Sequence, residues 1–145
     1  MRGYFGIGIE NVKTKENVGG LWRSAHALGA AFMFTIGNRY YRQRTDTTKA
    51  WTQIPLYAYE DFDDFQKHRP DDCLLIGVET DGKEISRFVH PERAIYLLGA
   101  EDRGLSAEAR QRCSYVIRIP SAYCLNVATA GSIVMYDRLT KATIK

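Results

Sequence analysis

Apolar residues in this chain fall into short runs separated by stretches with helical spacing. Gly6-Ile7-Gly8-Ile9-Glu10 reads as a strand whose glycines permit close backbone approach. Val18 to Leu28 reads as a helix, with Leu21, Ala25 and Leu28 on one face and Gly29 at its C-terminal end. Ala31 to Gly37 predicts a buried strand, and a short one follows at Leu56 to Tyr59. Glu60 to Lys67 begins acidic and ends basic, the order a helix dipole favours. Cys73 to Glu79 predicts a strand, Glu84 to Phe88 a helical turn, and Ala94 to Leu98 another strand. Ser106 caps a short helix running to Arg112, with Ala107 and Glu108 in its first turn. Tyr115 to Ile119 alternates as a strand does, and Leu125 to Lys141 predicts a long helix with Val127, Ile133, Val134 and Leu139 toward the core. Strands alternating with helices give an α/β fold: a mostly parallel sheet flanked by helices. Ligands in such sheets bind at the carboxyl ends of strands.

Composition narrows the class. At 145 residues the chain suits a single domain, 1–145, and it shows neither a repeat nor a linker. No apolar stretch approaches the roughly 20 residues that span a bilayer. A strand-like pattern begins almost at Met1, so the expectation is a cytoplasmic protein with no signal peptide and no N-terminal accessory domain. Cys73, Cys113 and Cys124 are odd in number and form no CxxC pair, which argues against a disulfide framework and a metal site. Cys73 reads as a small buried hydrophobe. The net charge of +3 is mild. Its distribution matters more, because Arg39, Arg42, Arg44 and Lys49 lie among Tyr40, Tyr41 and Trp51. Cations attract phosphates and aromatics stack on unpaired bases. That stretch therefore reads either as a nucleic-acid contact or as a solvated loop whose aromatics pack on the core.

Familiar catalytic motifs are missing. No GxGxxG or GxxxxGK[ST] pattern occurs, no nucleophile elbow precedes an ordered histidine, and the three histidines lack metal-ligand spacing. His26 reads as a packed or surface residue. Two loops stand out instead: Leu98 to Ser106, and Ile119 to Gly131. Each follows an apolar strand-like run and opens into a helix, so together they look like a pocket made from backbone. Taken singly, the first is an ordinary strand-to-helix turn and Asn126 in the second an ordinary helix cap. A third segment, Asn17 to Ala25, adds a cation and an amide.

In combination the segments resemble the three motifs of the SPOUT superfamily, and within it the SpoU-like (TrmH-like) RNA ribose methyltransferases. Asn17, Gly19, Arg23, Ser24 and Ala25 match the first motif, and Gly99, Glu101, Gly104 and Leu105 the second. Ile119, Pro120, Leu125, Asn126, Val127, Ala128 and Ala130 match the third. The resemblance implies a C-terminal deep trefoil knot, which general topology rules would not suggest. It implies S-adenosylmethionine as cofactor, held by Leu98, Gly99, Ala100, Gly104, Ile119, Pro120, Cys124, Leu125 and Ala128. It also implies a homodimer with the active site at the subunit interface. Trp22, Val127, Ile133 and Tyr136 are candidates for that interface.

The implied reaction moves a methyl group to a ribose 2′-hydroxyl of RNA, with tRNA favoured over rRNA. By resemblance Arg23 activates the hydroxyl. Arginine stays protonated, so it acts by stabilising negative charge rather than as a simple base. Asn17 and Asn126 position Arg23 and substrate, and Glu101 orients the site. Arg39, Arg42, Arg44 and Lys49 become candidate RNA contacts. Cys124 departs from the family, which has serine there; a thiol is a much weaker donor. Two other readings remain: an RNA-binding protein that has lost catalysis, and a methyltransferase acting on a base nitrogen.

Overall fold

In the computed structural model, which describes residues 3–37 and 54–144, the strand runs hydrogen-bond into a single sheet. In chain order the elements are β1 (Tyr4–Glu10), α1 (Lys15–Ala27), β2 (Phe32–Ile36), β3 (Leu56–Tyr59), α2 (Phe62–His68) and β4 (Leu74–Glu79). They continue with β5 (Lys83–Glu84), β6 (Arg93–Gly99), α3 (Ala107–Arg112), β7 (Tyr115–Arg118) and α4 (Val127–Thr140). The strand order is β3-β2-β1-β6-β4-β7-β5, and every neighbouring pair is parallel. From β1 the chain first builds outward through β2 and β3, and only later fills the other half. The order therefore reverses between β1 and β6, where open parallel sheets place their ligand crevices.

Both faces of the sheet are covered, as parallel sheets require. On one side α1 and α4 bury Val18, Leu21, Val127, Val134 and Met135 against Ile7, Ile9 and Leu98. On the other, Phe62 and Phe65 of α2 and Ala109 of α3 pack with Phe32, Phe34 and Leu97. Gly6 and Gly8 admit rings rather than backbone: a Cβ at either position would fall 2.2 or 2.4 Å from Phe32 or Phe34.

Several boundaries differ from the sequence expectation, each for a local reason. Helix α1 starts at Lys15 rather than Val18, because Thr14 caps it by accepting from the Asn17 N–H at 3.4 Å. The segment 84–88 is only partly helical: β5 ends at Glu84, and a single 3-10 turn spans Ile85–Arg87. Asn126 caps α4, so the helix proper begins at Val127. Its inward face carries Gly131, Val134, Met135 and Arg138. That spacing turns Ile133 (37% exposed) and Leu139 (40%) outward, although the sequence placed both in the core. Trp22 and Val127 are interior residues rather than interface candidates; the Trp22 indole N–H donates to Ile54 O at 3.1 Å.

The far end of α4 is locked at the amino end of β6. Arg138 Nη1 donates to Tyr96 Oη at 3.1 Å and to Pro91 O at 2.6 Å, while the guanidinium lies 4.9 Å from the Phe5 ring centre. Tyr96 Oη sits 2.7 Å from His90 Nδ1, and His90 Nε2 lies 2.7 Å from Asp137 Oδ2. Among the described residues no helix is long and apolar enough to cross a membrane.

Candidate active site

All three motif segments lie at the carboxyl ends of the parallel strands, after β1, β6 and β7. β6 ends at Gly99, where the chain folds back so closely that a Cβ would lie 2.2 Å from the Gly104 carbonyl carbon. The turn is closed by Ala100 O, which accepts from the N–H groups of Arg103 (3.2 Å) and Gly104 (2.7 Å). Gly104 adopts φ +66°, a conformation that disfavours any residue with a Cβ.

Two carboxylates hold the end of this turn. Leu105 N–H donates to Glu79 Oε1 at 2.6 Å. Ser106 donates its N–H to Glu10 Oε1 and its hydroxyl to Glu10 Oε2, both at 2.7 Å. The Ser106 hydroxyl oxygen also accepts from Ala109 N–H at 3.1 Å and caps α3, as its sequence position predicts. Glu10 is only 3% exposed, and a carboxylate so buried persists because these donors replace its water. No local motif marks Glu10 or Glu79 in the sequence. The one available signal was an acidic residue closing each of two apolar strand runs.

The third loop joins β7 to α4. Ser121 Oγ donates to Tyr123 O at 2.8 Å, and the exposed Cys124 thiol lies 3.8 Å from Leu125 O. Asn126 Oδ1 accepts from Thr129 N–H at 3.2 Å, which fixes the amide orientation. Its Nδ2 therefore donates outward, to Asn17 Oδ1 at 2.8 Å and Glu101 Oε1 at 3.2 Å. Glu101 Oε1 also accepts from Val127 N–H at 3.2 Å. One residue from each segment thus meets in a single hydrogen-bonded cluster: Asn17, Glu101 and Asn126.

Beside the cluster opens a cavity of about 520 Å³. Of the expected cofactor-binding residues, Leu98, Gly99, Ala100, Gly104, Ile119, Cys124 and Leu125 line it, and Glu101 does too. Pro120 and Ala128 do not. Pro120 is exposed on the loop. Ala128 faces α1, 3.4 Å from where a Cβ on Gly20 would stand. Val78, Glu79 and Thr80 from the end of β4 also line the cavity, as does Arg118 from β7. They were missed because β4 enters the sheet between β6 and β7, an adjacency that no local motif encodes.

Arg23 stands apart. It lies six residues beyond Asn17 on α1, about 9 Å along the axis and about 120° around it. It is exposed, does not line the cavity, and its side chain makes no hydrogen bond or ion pair among the described residues. The candidate RNA contacts Arg39, Arg42, Arg44 and Lys49 fall outside the described residues, as do Tyr40, Tyr41 and Trp51. Burial raises the Cys73 thiol above its ordinary value and pushes that of Cys113 up to about 11, so both behave as small hydrophobes. His26 is exposed on α1. Among the described residues no cluster of three or more His, Cys, Asp or Glu is placed to hold a metal ion.

Comparison with known proteins points in one direction. The model of the SpoU rRNA methylase family matches residues 5–136. An uncharacterized tRNA/rRNA methyltransferase from Archaeoglobus fulgidus is 26% identical over 92% of this chain and 63% of its own length. A 23S rRNA (uridine(2479)-2′-O)-methyltransferase from Streptomyces viridochromogenes is 25% identical over 92% of this chain and 52% of its own. The chain thus spans about half to two thirds of the length of these curated relatives. Among solved structures, the SpoU methyltransferase AviRb from Streptomyces viridochromogenes in complex with AdoMet superimposes with a TM-score of 0.80. It is 25% identical, covering 94% of this chain and 57% of that one. A structure described for the 2-OH methylation of C/U34 on tRNA gives a TM-score of 0.83 at 21% identity and covers 95% of both chains.

Proposed function

The chain belongs to the SpoU rRNA methylase family, and from that premise we propose that it is an S-adenosylmethionine-dependent RNA methyltransferase acting on a ribose 2′-hydroxyl. The observation that carries this reading is the convergence of Asn17, Glu101 and Asn126 beside one cavity. The residues present fit the cofactor. The cavity lies within the roughly 300–1,000 Å³ of small-molecule sites. Much of its wall is backbone from the Gly99–Gly104 turn, where side chains would block approach, and Val78, Leu98, Ile119 and Leu125 offer an apolar surface.

S-adenosylmethionine supplies an activated methyl group, so what remains is to align the acceptor oxygen and make it nucleophilic. In this reading the Asn126 amide, its direction fixed by the cap it forms, orients the acceptor with Glu101 and Asn17. Arg23 stabilises negative charge developing on the hydroxyl oxygen as that oxygen gives up its proton to solvent. Its place on the outer side of α1, away from the cavity of its own chain, supports a homodimer in which a second copy supplies Arg23. The outward Ile133, Tyr136 (61% exposed) and Leu139 on α4 support the same arrangement. The C-terminal knot belongs to this reading, as does RNA contact by Arg39, Arg42, Arg44 and Lys49.

Transfer RNA is the substrate class to test first, followed by rRNA. The test is methyl transfer from isotopically labelled S-adenosylmethionine, followed by complete digestion to nucleosides. The expected product carries the label on the ribose 2′-oxygen. A label on a base nitrogen overturns the proposal.

A further inference from the structure

Glu79 closes β4 in the cavity wall, and in the sheet order its strand lies two places from β1, which leads to Asn17. At about 4.8 Å per strand, β4 and β1 run roughly 10 Å apart. Its carboxylate is only half used: Oε1 accepts from Leu105 N–H at 2.6 Å, and Oε2 has no hydrogen bond or ion pair among the described residues. Arg118 is its register partner on β7 and lines the same cavity, yet the two charges do not pair; Arg118 Nη2 instead lies 3.9 Å from Glu84. The neighbouring wall is apolar, formed by Val78, Leu98 and Ile119.

An ammonium held along that wall would lose hydration on its apolar side, which is costly for a charge. A flat heteroaromatic with neutral N–H or O–H donors at its edge meets no such cost. It covers the apolar wall, and a guanidinium such as that of Arg118 can stack on its face. We propose that Glu79, through the oxygen left free by Leu105, accepts a hydrogen bond from a neutral donor of the cofactor's adenosine, either the base amine or a ribose hydroxyl. Glu79 then has two tasks, anchoring the end of the Gly99–Gly104 turn and recognising adenosine. This rests on the cofactor assignment above.

The test is calorimetry on the full chain, wild type and Glu79→Gln, using S-adenosylhomocysteine and three analogues. One has inosine for adenosine, one lacks a ribose hydroxyl at the 2′ or 3′ position, and one lacks the α-amino group. Glu79→Gln is expected to weaken S-adenosylhomocysteine by about tenfold, the scale of one hydrogen bond to a charged acceptor. The inosine or deoxyribose analogue should be weakened against wild type and then be indifferent to Glu79→Gln. Indifference confined to the analogue without the amino group overturns the inference, because the partner is then the ammonium. An equal loss for every ligand also overturns it, since Glu79 then serves only as an anchor. If wild type binds neither S-adenosylmethionine nor S-adenosylhomocysteine, the cofactor assignment itself falls.

Discussion

Asn126 shows how much a single side chain does here. Its carbonyl oxygen caps α4 through Thr129 N–H, while its amide nitrogen reaches Asn17 and Glu101. Capping and positioning are therefore one geometry, and neither reading of this residue excludes the other. Asn126→Ala is expected to cost about 1 kcal/mol in chemical denaturation, the usual value of a lost cap. Methyl transfer should fall much further than that modest destabilisation explains. Asn126→Asp keeps the capping oxygen but sets a second carboxylate against Glu101, so it should give back little of the stability and none of the activity. Cys124 is the other residue to probe. It is exposed, and its only hydrogen bond within the described residues is the long approach to Leu125 O. Cys124→Ser restores the stronger hydroxyl donor at that position. The expected result, read as kcat/KM for methyl transfer, is activity equal to or above wild type; complete loss would show that sulfur is required.

At the level of elements, the strands were the most legible part of the chain. Ile7, Ile9 and the run from Phe32 to Ile36 are buried on both faces, and continuous apolar runs of that kind read plainly as strands of a parallel sheet. Helix faces were less legible. Apolar and polar residues are mixed around α4, with Arg138 buried, so Ile133 and Leu139 gave no sign that they point outward. Its register is set by close approach to α1 and β6, where a Cβ on Gly131 would meet Leu21 Cδ1 at 2.4 Å. The turn after β6 is the element on which the site depends most. Gly104→Ala there meets both the positive φ and the Glu79 carboxylate, with Oε1 at 3.0 Å from the added carbon. A loss of about 1–2 kcal/mol in thermal or denaturant unfolding is expected. Binding of S-adenosylmethionine should weaken at least in proportion, because the same turn forms the cavity wall.

Across the whole molecule, α4 is fixed at both ends. Its N-terminus is tied into the Asn17–Glu101 cluster and its C-terminus into the buried His90, Tyr96 and Arg138 network. Burial pushes Tyr96 up to about 12, so its hydroxyl stays protonated and donates to His90 Nδ1, leaving Nε2–H to face Asp137. Burial also lowers the His90 pKa. Asp137 opposes that shift, and Arg138 and Lys141 add to it. Because the folded pKa lies below the unfolded one, the unfolded chain binds the proton more readily. The contribution of His90 is then complete above about pH 6.5 and is lost as pH falls toward the depressed folded value. Denaturation midpoints should decline across that window, and a His90→Gln variant should lack this part of the slope. None of the lock was legible in the sequence, since His90, Tyr96 and Arg138 meet only through tertiary contacts. The motif cluster was legible because its three segments have recognisable local form, whereas Glu10 and Glu79 act on the turn from separate strands. If the cavity binds the cofactor while Arg23 activates the acceptor, as proposed, the two functions separate when S-adenosylmethionine affinity and RNA methyl transfer are measured side by side in Arg23→Ala. Affinity is predicted to stay within about threefold of wild type, while transfer falls by about 100-fold or more, the scale of losing a group that acts on the reacting oxygen. Full turnover on the natural RNA would rule out that role for Arg23.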